Sequence, residues 1–495
     1  MSAVLDQRVE AAASARLAPN RPLRDWRDLP GPRSWPVVGN RLQFKPAGLH
    51  LKLEQWCREY GPYYKLRLNG PVLVVADHEV IASVLRNRPD VFQRTPRLNH
   101  VWLELGLPPG IFGSNGDVWR RPRRMVMAGF DPAHVKRYFP ALQQVAERLA
   151  RRWAKAAQAG SAIDLQSDLM RYTVDTIAGL AFGAQVNTLE STDDVIQQHL
   201  DRIFPALAHR ILAPVPVWRY WRSRNVRELE RSVLAVKAAV DRFVDEARAR
   251  LQAEPARREH PDNLLEAMIA AADQPESGID DAQVAGNVVT MLLAGEDTTA
   301  NTIAWMLDLL WRNPQALQHA TDEVRRVVVD RHVLPTLEQI AQLDFVEACA
   351  HETMRLKPVA PLLPLRTEQP MAVGDVQVPA GTIVISLMRP DGVNEQLMPG
   401  ATEFQPERWL ADAVDSSMPS AQASSPKRVS MPFGAGPRIC PGRYLALLEI
   451  KVAMAMLLSR FDIVGVSTPD GQPAREELSF TMTPVGLTMR LRERR

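Results

Sequence analysis

The spacing of apolar residues divides the chain into a strand-forming beginning, a long helical middle and a strand-forming end. Two apolar runs, Tyr63–Leu68 and Pro71–Val75, flank Asn69-Gly70, a dipeptide that favours a tight hairpin turn. From about residue 117 to about residue 360, apolar positions recur mostly at helical spacing. Strand patterns return near the end of the chain, at Val376–Pro379, Gly381–Ser386 and Phe480–Arg490. The pattern predicts a mainly α fold with a small β-sheet region.

The ordered domain is predicted to begin at Leu29. The run Leu29-Pro30-Gly31-Pro32 cannot continue a helix, and no repeat or change of composition divides the residues that follow. Residues 1–28 are rich in alanine and arginine, but acidic residues interrupt them and no apolar stretch approaches the ~20 residues that span a bilayer. The sequence therefore predicts a flexible leader over 1–28 and a single domain over 29–495, without a transmembrane anchor.

Composition narrows the functional classes. Apolar residues make up 46% and charged residues 24% of the chain, which excludes wholesale disorder. The net charge of +3 favours neither nucleic acid nor an acidic partner by itself. The three cysteines, Cys57, Cys349 and Cys440, form no CxxC pair, so a disulfide framework and a cysteine-based zinc ribbon are excluded. So few cysteines suit a soluble protein of the reducing cytoplasm.

The segment around Cys440 carries the strongest chemical signal. A Gly-x-Gly pattern precedes it, but Ile439 stands where a nucleotide-binding GxGxxG loop requires its third glycine. Pro441 suits the first turn of a helix, and helical apolar spacing continues over Tyr444–Arg460, so Cys440 is predicted to lie at a helix N-terminus. There the helix dipole and free N–H groups stabilise a thiolate. A lone thiolate indicates a covalent nucleophile or an axial haem ligand, and a buried inert cysteine stays open as an alternative.

The letters FGAGPRICPG, residues 433–442, resemble the FxxGxRxCxG loop of the cytochrome P450 family of haem-thiolate monooxygenases. The resemblance implies that Cys440 is the axial ligand of the iron in haem b, where its thiolate favours O–O cleavage. It also implies that Phe433 packs near the sulfur, that Arg438 binds a haem propionate and that Gly442 completes the cofactor loop. The implied fold buries the haem between a long distal helix and the helix that follows the cysteine.

A helix predicted over Ile279–Trp311 carries polar residues in an apolar setting. Its middle, residues 294–299, reads Ala-Gly-Glu-Asp-Thr-Thr, where helix propensity favours alanine and leucine. An exposed polar patch is the simple explanation, but a neighbouring acid and alcohol can also relay protons. The segment resembles the AGxDT motif of the family's distal helix. The resemblance implies that Gly295 leaves room for dioxygen, and that Asp297 and Thr298 deliver protons during oxygen activation.

Glu352 and Arg355 stand one turn apart on a helix predicted over Asp344–Lys357, which has a capping box at its start. Alone, such a pair is most often an exposed ion pair that contributes about 0.2–0.5 kcal/mol. The pair nevertheless matches the family's ExxR motif, and Pro406-Glu407-Arg408-Trp409 resembles its PERF segment. The resemblance implies a structural network in which Arg355 and Arg408 both bind Glu352 on the cysteine side of the haem.

Two shorter matches concern the haem propionates. Trp119 and Arg123 share one helical face and match the family's WxxxR motif, in which both residues bind a propionate. Pro122 between them is tolerated only near the first turn of a helix. Arg366 aligns with a further propionate-binding arginine. One turn departs from the family, because Met388–Asp391 keeps the arginine of an HRDP-like sequence but not its histidine.

Three functions fit a haem-thiolate protein, and the motifs favour one of them. A haem-binding sensor or carrier needs no proton relay, so the pair Asp297-Thr298 speaks against it. Enzymes of the family that use hydrogen peroxide usually have an altered acid–alcohol pair, which is intact here. The sequence therefore predicts a monooxygenase that inserts one oxygen atom from dioxygen into a small apolar organic substrate, by hydroxylation or epoxidation.

Partners and location are predicted from what the chain contains. It ends about 50 residues after Cys440, so a separate ferredoxin, flavodoxin or reductase is expected to donate the electrons. Mostly apolar segments, among them 95–112, 200–213 and Phe480–Met482, are expected to line the substrate pocket. Composition and the lack of an anchor predict a cytoplasmic, bacterial protein that binds no nucleic acid.

Arginines that flank the WxxxR motif give a hypothesis for the electron donor. Arg120, Arg121 and Arg124 are expected to face away from Trp119 and Arg123. They form either a docking surface for an acidic donor or an ordinary solvated helix face.

Overall fold

The structure, a computed structural model, describes residues 22–68, 70–107, 109–130, 132–184, 186–191, 196–213, 215–410 and 425–494. The chain divides into two units. The first unit is formed by the segments Met1–Pro96, Ala360–Thr402 and Met418–Cys440, and the second by Arg97–Val359, Glu403–Ser417 and Pro441–Arg495.

Apolar residues at helical spacing form the helices, most of which lie in the second unit among the described residues. Side chains fix several helix starts, since Asp77, Asp164, Ser223 and Asn263 each accept a hydrogen bond from a first-turn N–H. In chain order the α-helices are α1 (Leu49–Tyr60), α2 (His78–Arg86), α3 (Pro96–Glu104), α4 (Gly110–Gly113), α5 (Gly116–Gly129), α6 (Pro132–Ala159), α7 (Leu165–Phe182), α8 (Ile196–Leu212), α9 (Arg224–Ala253), α10 (Leu264–Ala272), α11 (Asp281–Arg312), α12 (Pro314–Val327), α13 (Leu337–Ala341), α14 (Asp344–Leu356), α15 (Pro426–Val429) and α16 (Arg443–Arg460).

The strands are short and form small sheets. They are β1 (Arg24–Asp25), β2 (Tyr63–Arg67), β3 (Pro71–Val75), β4 (Phe92–Arg94), β5 (Ile163–Asp164), β6 (Leu362–Thr367), β7 (Met371–Val373), β8 (Val376–Val378), β9 (Ile383–Leu387), β10 (Phe461–Ser467), β11 (Arg475–Leu478), β12 (Met482–Val485) and β13 (Thr488–Glu493). The run predicted as one strand over Phe480–Arg490 is thus divided between β12 and β13, which pair with different strands.

A five-stranded sheet in the order β2-β3-β9-β6-β4 organises the first unit. Strands β2 and β3 form the predicted hairpin, with Arg67 opposite Pro71, while Asn69 of its turn lies outside the described residues. Strands β3 and β9 are parallel, and the other neighbours are antiparallel. Residues of this sheet pack against α2 in the core of the unit. The pairing of β4 with β6 brings Arg94 opposite Leu365, next to Arg366.

Helix α11 runs through the core of the second unit. Asp280 caps it by accepting a hydrogen bond from the N–H of Gln283, at 2.7 Å, in a reciprocal capping box. The helix packs against α7, α9, α14 and α16, and Val288 and Leu292 are completely buried. The predicted architecture, mainly α with small sheets, is confirmed.

The ordered N-terminal segment begins before Leu29. Strand β1 pairs in parallel with β8, and Arg24 forms an ion pair with Asp375 at 2.7 Å. The indole Nε1 of Trp26 donates a hydrogen bond to the carbonyl oxygen of Val72, at 3.1 Å. Residues 22–28 therefore belong to the first unit rather than to a leader, because partners far away in the sequence order them. Residues 1–21 lie outside the described residues.

Two details of helix starts differ from the sequence prediction. The predicted capping box of α14 is absent, because the carboxylate of Glu323 on α12 accepts hydrogen bonds from the N–H groups of Phe345 and Val346, at 2.8 and 3.0 Å. A side chain distant in sequence thus replaces the local cap. Pro122 lies in the second turn of α5, which starts at Gly116, rather than in its first turn.

Candidate functional site

Cys440 closes a tight loop at the end of the first unit. Its backbone N–H donates a hydrogen bond to the carbonyl oxygen of Phe433, at 2.9 Å, and the residue is half-buried. Gly434 and Gly436 have φ angles of 71° and 70°, which residues with a Cβ rarely adopt. A Cβ on Gly436 would lie 2.6 Å from the Cα of Arg86, so the loop packs on the end of α2 only with glycine there. The sequence thus fixes the backbone position of Cys440.

Helix α16 begins later than the sequence predicts. Its first residue is Arg443 and its N-cap is Gly442, so Pro441 precedes the helix instead of forming its first turn. Cys440 consequently stands two residues before the N-cap. The hydrogen bond to Phe433 explains the difference, because it keeps the backbone of Cys440 in the loop.

Three arginines of the first unit lie close together: Arg88, Arg94 and Arg438. Burial and, to a smaller extent, the positive charge of Arg438 lower the pKa of Arg94 to about 9. Burial and the charge of Arg94 lower the pKa of Arg88 to about 8, and the Nε of Arg88 makes no hydrogen bond to a described residue. Buried like charges are stabilised by an anion placed among them. The cluster therefore suits a ligand with carboxylate groups, and only Arg438 was identified from a motif.

Arg366 lies on β6, the neighbour of the strand that carries Arg94. Its guanidinium lies beside Gly381, and its Nε is 3.9 Å from a carboxylate oxygen of Glu368. Its side chain is partly exposed. A role of Arg366 in propionate binding stays a prediction.

In the second unit, Trp119 and Arg123 lie together on the buried face of α5. They are 5% and 8% exposed, and the guanidinium carbon of Arg123 is 6.0 Å from the centre of the Trp119 ring. Arg120, Arg121 and Arg124 are exposed on the same helix. The expectation that these three arginines face away from the WxxxR pair is confirmed.

The middle of α11 leaves one face uncovered. Ala294 is exposed and Gly295 and Thr298 are half-buried, whereas the residues on both sides are buried. The hydroxyl of Thr298 donates to the carbonyl oxygen of Ala294, at 2.8 Å, so the Thr298 oxygen can still accept a hydrogen bond. A Cβ on Gly295 would lie 3.2 Å from Cγ1 of Ile177 on α7. Gly295 therefore permits close helix packing, and its predicted role of leaving room for dioxygen stays a prediction.

Asp297, the acid of the same motif, is buried at 3% exposure. Its Oδ1 accepts a hydrogen bond from Nδ2 of Asn301, at 2.7 Å, and its Oδ2 accepts one from the hydroxyl of Thr481. Burial raises the pKa of Asp297, and these two hydrogen bonds lower it by a smaller amount. Asp297 also lines a cleft of about 310 Å³, whose other polar lining residues are Asp164, Gln166, Ser167, Ser479 and Thr483.

Glu352, at 0% exposure, is the centre of a hydrogen-bond network in the second unit. Its carboxylate accepts from Nε and Nη2 of Arg355 at 2.7 and 2.6 Å, and from Nε of Arg408 at 3.0 Å. The N–H of Gln405 and Nε1 of Trp409 also donate to it, at 2.9 and 2.8 Å. The contacts implied by the ExxR and PERF motifs are therefore present. Trp409, which stands where PERF has phenylalanine, supplies an additional donor that the motif did not indicate.

A comparison with known protein families shows which family this chain belongs to. The profile of the family Cytochrome P450 matches residues 29–490, nearly the whole chain. The chain belongs to the cytochrome P450 family. This finding confirms the family and the fold predicted from the Cys440 loop and the three other motifs.

Relatives and solved structures agree with this assignment. The P450 is 27% identical to carotene epsilon-monooxygenase of Arabidopsis thaliana, and the alignment covers 90% of this chain and 83% of that protein. It is 26% identical to a self-sufficient cytochrome P450 monooxygenase of Aspergillus niger, over 96% of this chain but only 44% of that protein. The haem domain of cytochrome P450DA matches the fold with a TM-score of 0.80 at 24% identity, covering 96% of this chain and 99% of that one.

The comparisons also bear on the predicted enzyme class and location. The class, a cytochrome P450 monooxygenase and therefore an oxidoreductase with a haem-iron cofactor, is confirmed. None of the described helices combines the length and apolar character needed to cross a bilayer. The plant and fungal relatives give no support to the predicted bacterial source.

The residues of this P450 fit a haem. In the first unit, Cys440 is only half-buried, and the neighbouring positive charges of Arg94 and Arg438 suit the two propionate carboxylates. In the second unit, Trp119 and Arg123 offer N–H donors, and the uncovered face of α11 leaves space beside Thr298.

The turn of this P450 that departs from the family pattern is held by two long-range contacts within the first unit. Arg389 forms a buried ion pair with Glu54, with Nη2 and Oε2 2.7 Å apart. Oδ2 of Asp391 accepts from the backbone N–H of His78 and lies 2.8 Å from its Nδ1. The hydrogen bond to Asp391 raises the pKa of His78. His78 on α2 therefore contacts the turn that lacks the histidine of the HRDP-like pattern.

A second buried acid of the P450, Glu449 on α16, carries no motif that the sequence prediction used. It is 3% exposed, and burial raises its pKa to about 8 although a hydrogen bond with Thr299 lowers it. Glu449 is therefore mostly protonated at neutral pH. Because Thr299 follows Thr298, this contact joins α16 to the polar segment of α11.

Proposed function

We propose that this P450 uses haem b to insert one oxygen atom from dioxygen into a small apolar organic substrate, by hydroxylation or epoxidation, with electrons from a separate donor. The observation that carries the proposal is the loop in which two glycines and one backbone hydrogen bond fix Cys440 in the unit that holds the Arg94–Arg438 pair. Haem, when bound, supplies an iron at which dioxygen is activated, and a thiolate ligand promotes that activation.

The proposed cofactor residues have separate tasks. The Cys440 thiolate binds the iron, Phe433 covers the sulfur, and Gly442 lets the chain turn from the loop into α16. The propionates are bound by side chains that are cationic or that donate an N–H. In the first unit these are Arg94, Arg366 and Arg438, and in the second unit they are Trp119 and Arg123. The network of Glu352, Arg355 and Arg408 stabilises the conformation of the chain segments that it connects. Cys57, Cys349 and Cys440 form no disulfide with one another, which supports a reducing, cytoplasmic location for this domain.

Asp297 and Thr298 are proposed to control protons on the distal side. The Thr298 oxygen keeps an accepting lone pair while its proton is bound to the Ala294 carbonyl, so it can hold a water molecule on the uncovered face of α11. Asp297 reaches the cleft and has a pKa raised by burial, so it can exchange protons with solvent closer to neutral pH than an exposed acid. Gly295 leaves space on the same face.

Replacing Thr298 with alanine, or Asp297 with asparagine, is expected to uncouple electron use from product formation. Haem content, substrate binding and electron uptake should change little, because neither side chain is needed for them. The amount of product formed per reductant consumed should fall by about tenfold or more, with the lost electrons recovered as hydrogen peroxide, since positioned acids and bases typically contribute about 10²–10⁴-fold. The measurement is product, reductant and peroxide in the same reaction.

Thr302 provides the matched control for this test. It lies one turn after Thr298 on α11, and its hydroxyl donates to the Thr298 carbonyl in the same back-bonded geometry, at 2.8 Å. Thr302→Ala should therefore keep the parent coupling. Equal coupling in Thr298→Ala and the parent would show that the polar break in α11 has a structural role alone.

An apolar substrate is proposed because aromatic rings of the second unit meet beside the polar motif. The ring of Phe480 lies 4.9 Å from that of Phe204 and 5.5 Å from that of Phe112, centre to centre. All three belong to segments that the sequence predicted to line the pocket. Phe480 immediately precedes Thr481, which binds Asp297, so an apolar surface stands next to the proposed proton route.

The separate electron donor is proposed to bind the exposed arginines of α5. Raising the ionic strength should then lower the rate of haem reduction by about tenfold, because salt screens the attraction of an acidic donor. Arg121→Glu should lower the rate several-fold at low salt and leave little salt dependence. Stopped-flow reduction with a purified acidic ferredoxin or flavodoxin measures both effects.

Arg224 offers a charge-matched control for the donor experiment. Its side chain is 86% exposed at the start of α9 and pairs with Glu228. Arg224→Glu changes the net charge as much as Arg121→Glu but should keep the parent rate. Salt-independent reduction of the parent would place the donor elsewhere.

A further inference from the structure

The partners of Asp297 can serve both of its protonation states. Among the described residues no cation forms an ion pair with Asp297, whose partners are instead the amide of Asn301 and the hydroxyl of Thr481. A lysine or arginine would hold only the carboxylate, since it cannot accept a hydrogen bond. A hydroxyl can reverse its direction, and an amide can turn over to exchange its N–H₂ and its oxygen.

The contacts within this group form a closed polar network. Oγ1 of Thr481 donates to Oδ2 of Asp297 and accepts from Nδ2 of Asn301, at 3.1 Å. The same Nδ2 donates directly to Oδ1 of Asp297 and lies 3.2 Å from Oγ1 of Thr483. In this orientation the network offers only donors to Asp297, which is the arrangement that suits a carboxylate.

Asn301 also carries an unused acceptor. The residue is 0% exposed, and its Oδ1 makes no hydrogen bond to any described residue. A buried acceptor without a donor is costly, and such a group calls for a physical reason. If Asp297 gains a proton, turning the amide over puts this oxygen where Nδ2 now lies, 2.7 Å from Oδ1 of Asp297. The unpaired oxygen then accepts the new O–H.

The cleft gives this network access to water. Asp297 and half-buried Thr483 line it together with Asp164, which is exposed. Its lining includes no lysine or arginine among the described residues. Three acids lie near this network: Asp164 on the cleft, Glu296 next to Asp297 in α11, and Glu449 against Thr299. Water in the cleft can therefore reach the acid without meeting a fixed positive charge.

We propose that Asn301 and Thr481 are positioning residues that hold the carboxyl group of Asp297 in both protonation states at the inner end of this cleft. The inference rests on the proposed function, in which Asp297 passes protons toward Thr298. In one cycle an O–H bond of a hydronium ion in the cleft breaks as an O–H bond forms on Asp297. The new O–H bond then breaks as the proton passes to the water molecule held by Thr298. Asp297 then returns to the carboxylate, and Thr481 and Asn301 return to donating.

The test compares Thr481→Val, which removes the hydroxyl at nearly constant shape, with Thr481→Ser, which keeps it. Infrared difference spectra of the full-length protein between two pH values report the C=O stretch of buried carboxylic acids as they titrate. Asp297→Asn identifies the band of Asp297, and Glu449→Gln identifies that of Glu449. In Thr481→Val the Asp297 band should titrate at higher pH and shift in frequency, because the carboxylate has lost a donor. Thr481→Ser should match the parent.

Coupling provides the second measurement. Product per reductant should fall about tenfold in Thr481→Val and remain near the parent value in Thr481→Ser. If Thr481→Val does not fold, Asn301→Leu tests the same network through its other member. A parent-like infrared titration and parent-like coupling in a folded Thr481→Val protein would overturn the inference. Failure of the proposed function would appear differently, as a parent protein with no thiolate-type spectrum but an unchanged dependence of the Asp297 band on Thr481.

Discussion

Replacing Cys440 with alanine is expected to abolish the absorption band that a reduced, carbon-monoxide-treated protein gives when a thiolate binds haem iron. The effect should be complete, because alanine has no ligand atom and neither remaining cysteine is suited to replace it. Burial is the main cause that raises the pKa of Cys57 to about 11, and it raises the pKa of Cys349 well above its usual value. Both side chains therefore stay protonated thiols at neutral pH, and a thiol is a much poorer ligand than a thiolate.

The other two cysteines are the natural controls. Cys57→Ala and Cys349→Ala should keep the thiolate band. Cys349→Ala should lower thermal stability, because removing the sulfur from this completely buried site leaves a cavity. Haem content measured after extraction separates loss of ligation from loss of cofactor in each variant. An intact thiolate band in Cys440→Ala protein would refute the assignment of the ligand.

The motifs could be predicted from the sequence because each depends on short-range order. Glu352 and Arg355 meet because they lie one turn apart on α14, and the same holds for Trp119 and Arg123 on α5. The positive φ of Gly436 is a property of a few consecutive residues. Local spacing of this kind determines which side chains share a face before any tertiary contact forms.

The remaining site residues depend on contacts between distant parts of the chain. Arg94 joins Arg438 through the folding of the first unit, and Thr481 reaches Asp297 from the turn between β11 and β12. The spacing of residues along the sequence does not indicate which distant residues come into contact. The same reason explains why the sequence prediction was wrong at two helix starts. At α14, Glu323 accepts the N–H hydrogen bond that a local capping box was predicted to accept. At α16, the hydrogen bond to Phe433 keeps Cys440 in the loop, so the helix begins later than predicted. Tertiary hydrogen bonds compete with local ones and are decided by the whole fold.

Replacing Glu352 with alanine is expected to give little haem-loaded protein. The variant removes the shared acceptor of the network and leaves the guanidinium of Arg355, whose side chain is completely buried, without its carboxylate. Removing one partner of a buried ion pair typically costs about 3–5 kcal/mol, because the other charge stays desolvated. Arg408 loses the same carboxylate but keeps its hydrogen bond to Oε1 of Gln405, at 2.9 Å. Haem content and the free energy of unfolding measure the loss.

A graded variant separates the cost of stranded charge from the loss of one hydrogen bond. Trp409→Phe restores the residue that the PERF motif has and removes one donor to Glu352, the indole Nε1 at 2.8 Å, while both cation partners remain. It should lower the free energy of unfolding by about 1–2 kcal/mol and leave haem content near normal.

Asp344→Ala, at the exposed first residue of the same helix, controls for the loss of a carboxylate from α14. If Glu352→Ala and Trp409→Phe lower the free energy of unfolding by similar amounts, the positive charges of Arg355 and Arg408 are compensated by groups other than Glu352. A much larger loss in Glu352→Ala identifies charge compensation as the reason why this acid lies at the centre of the network.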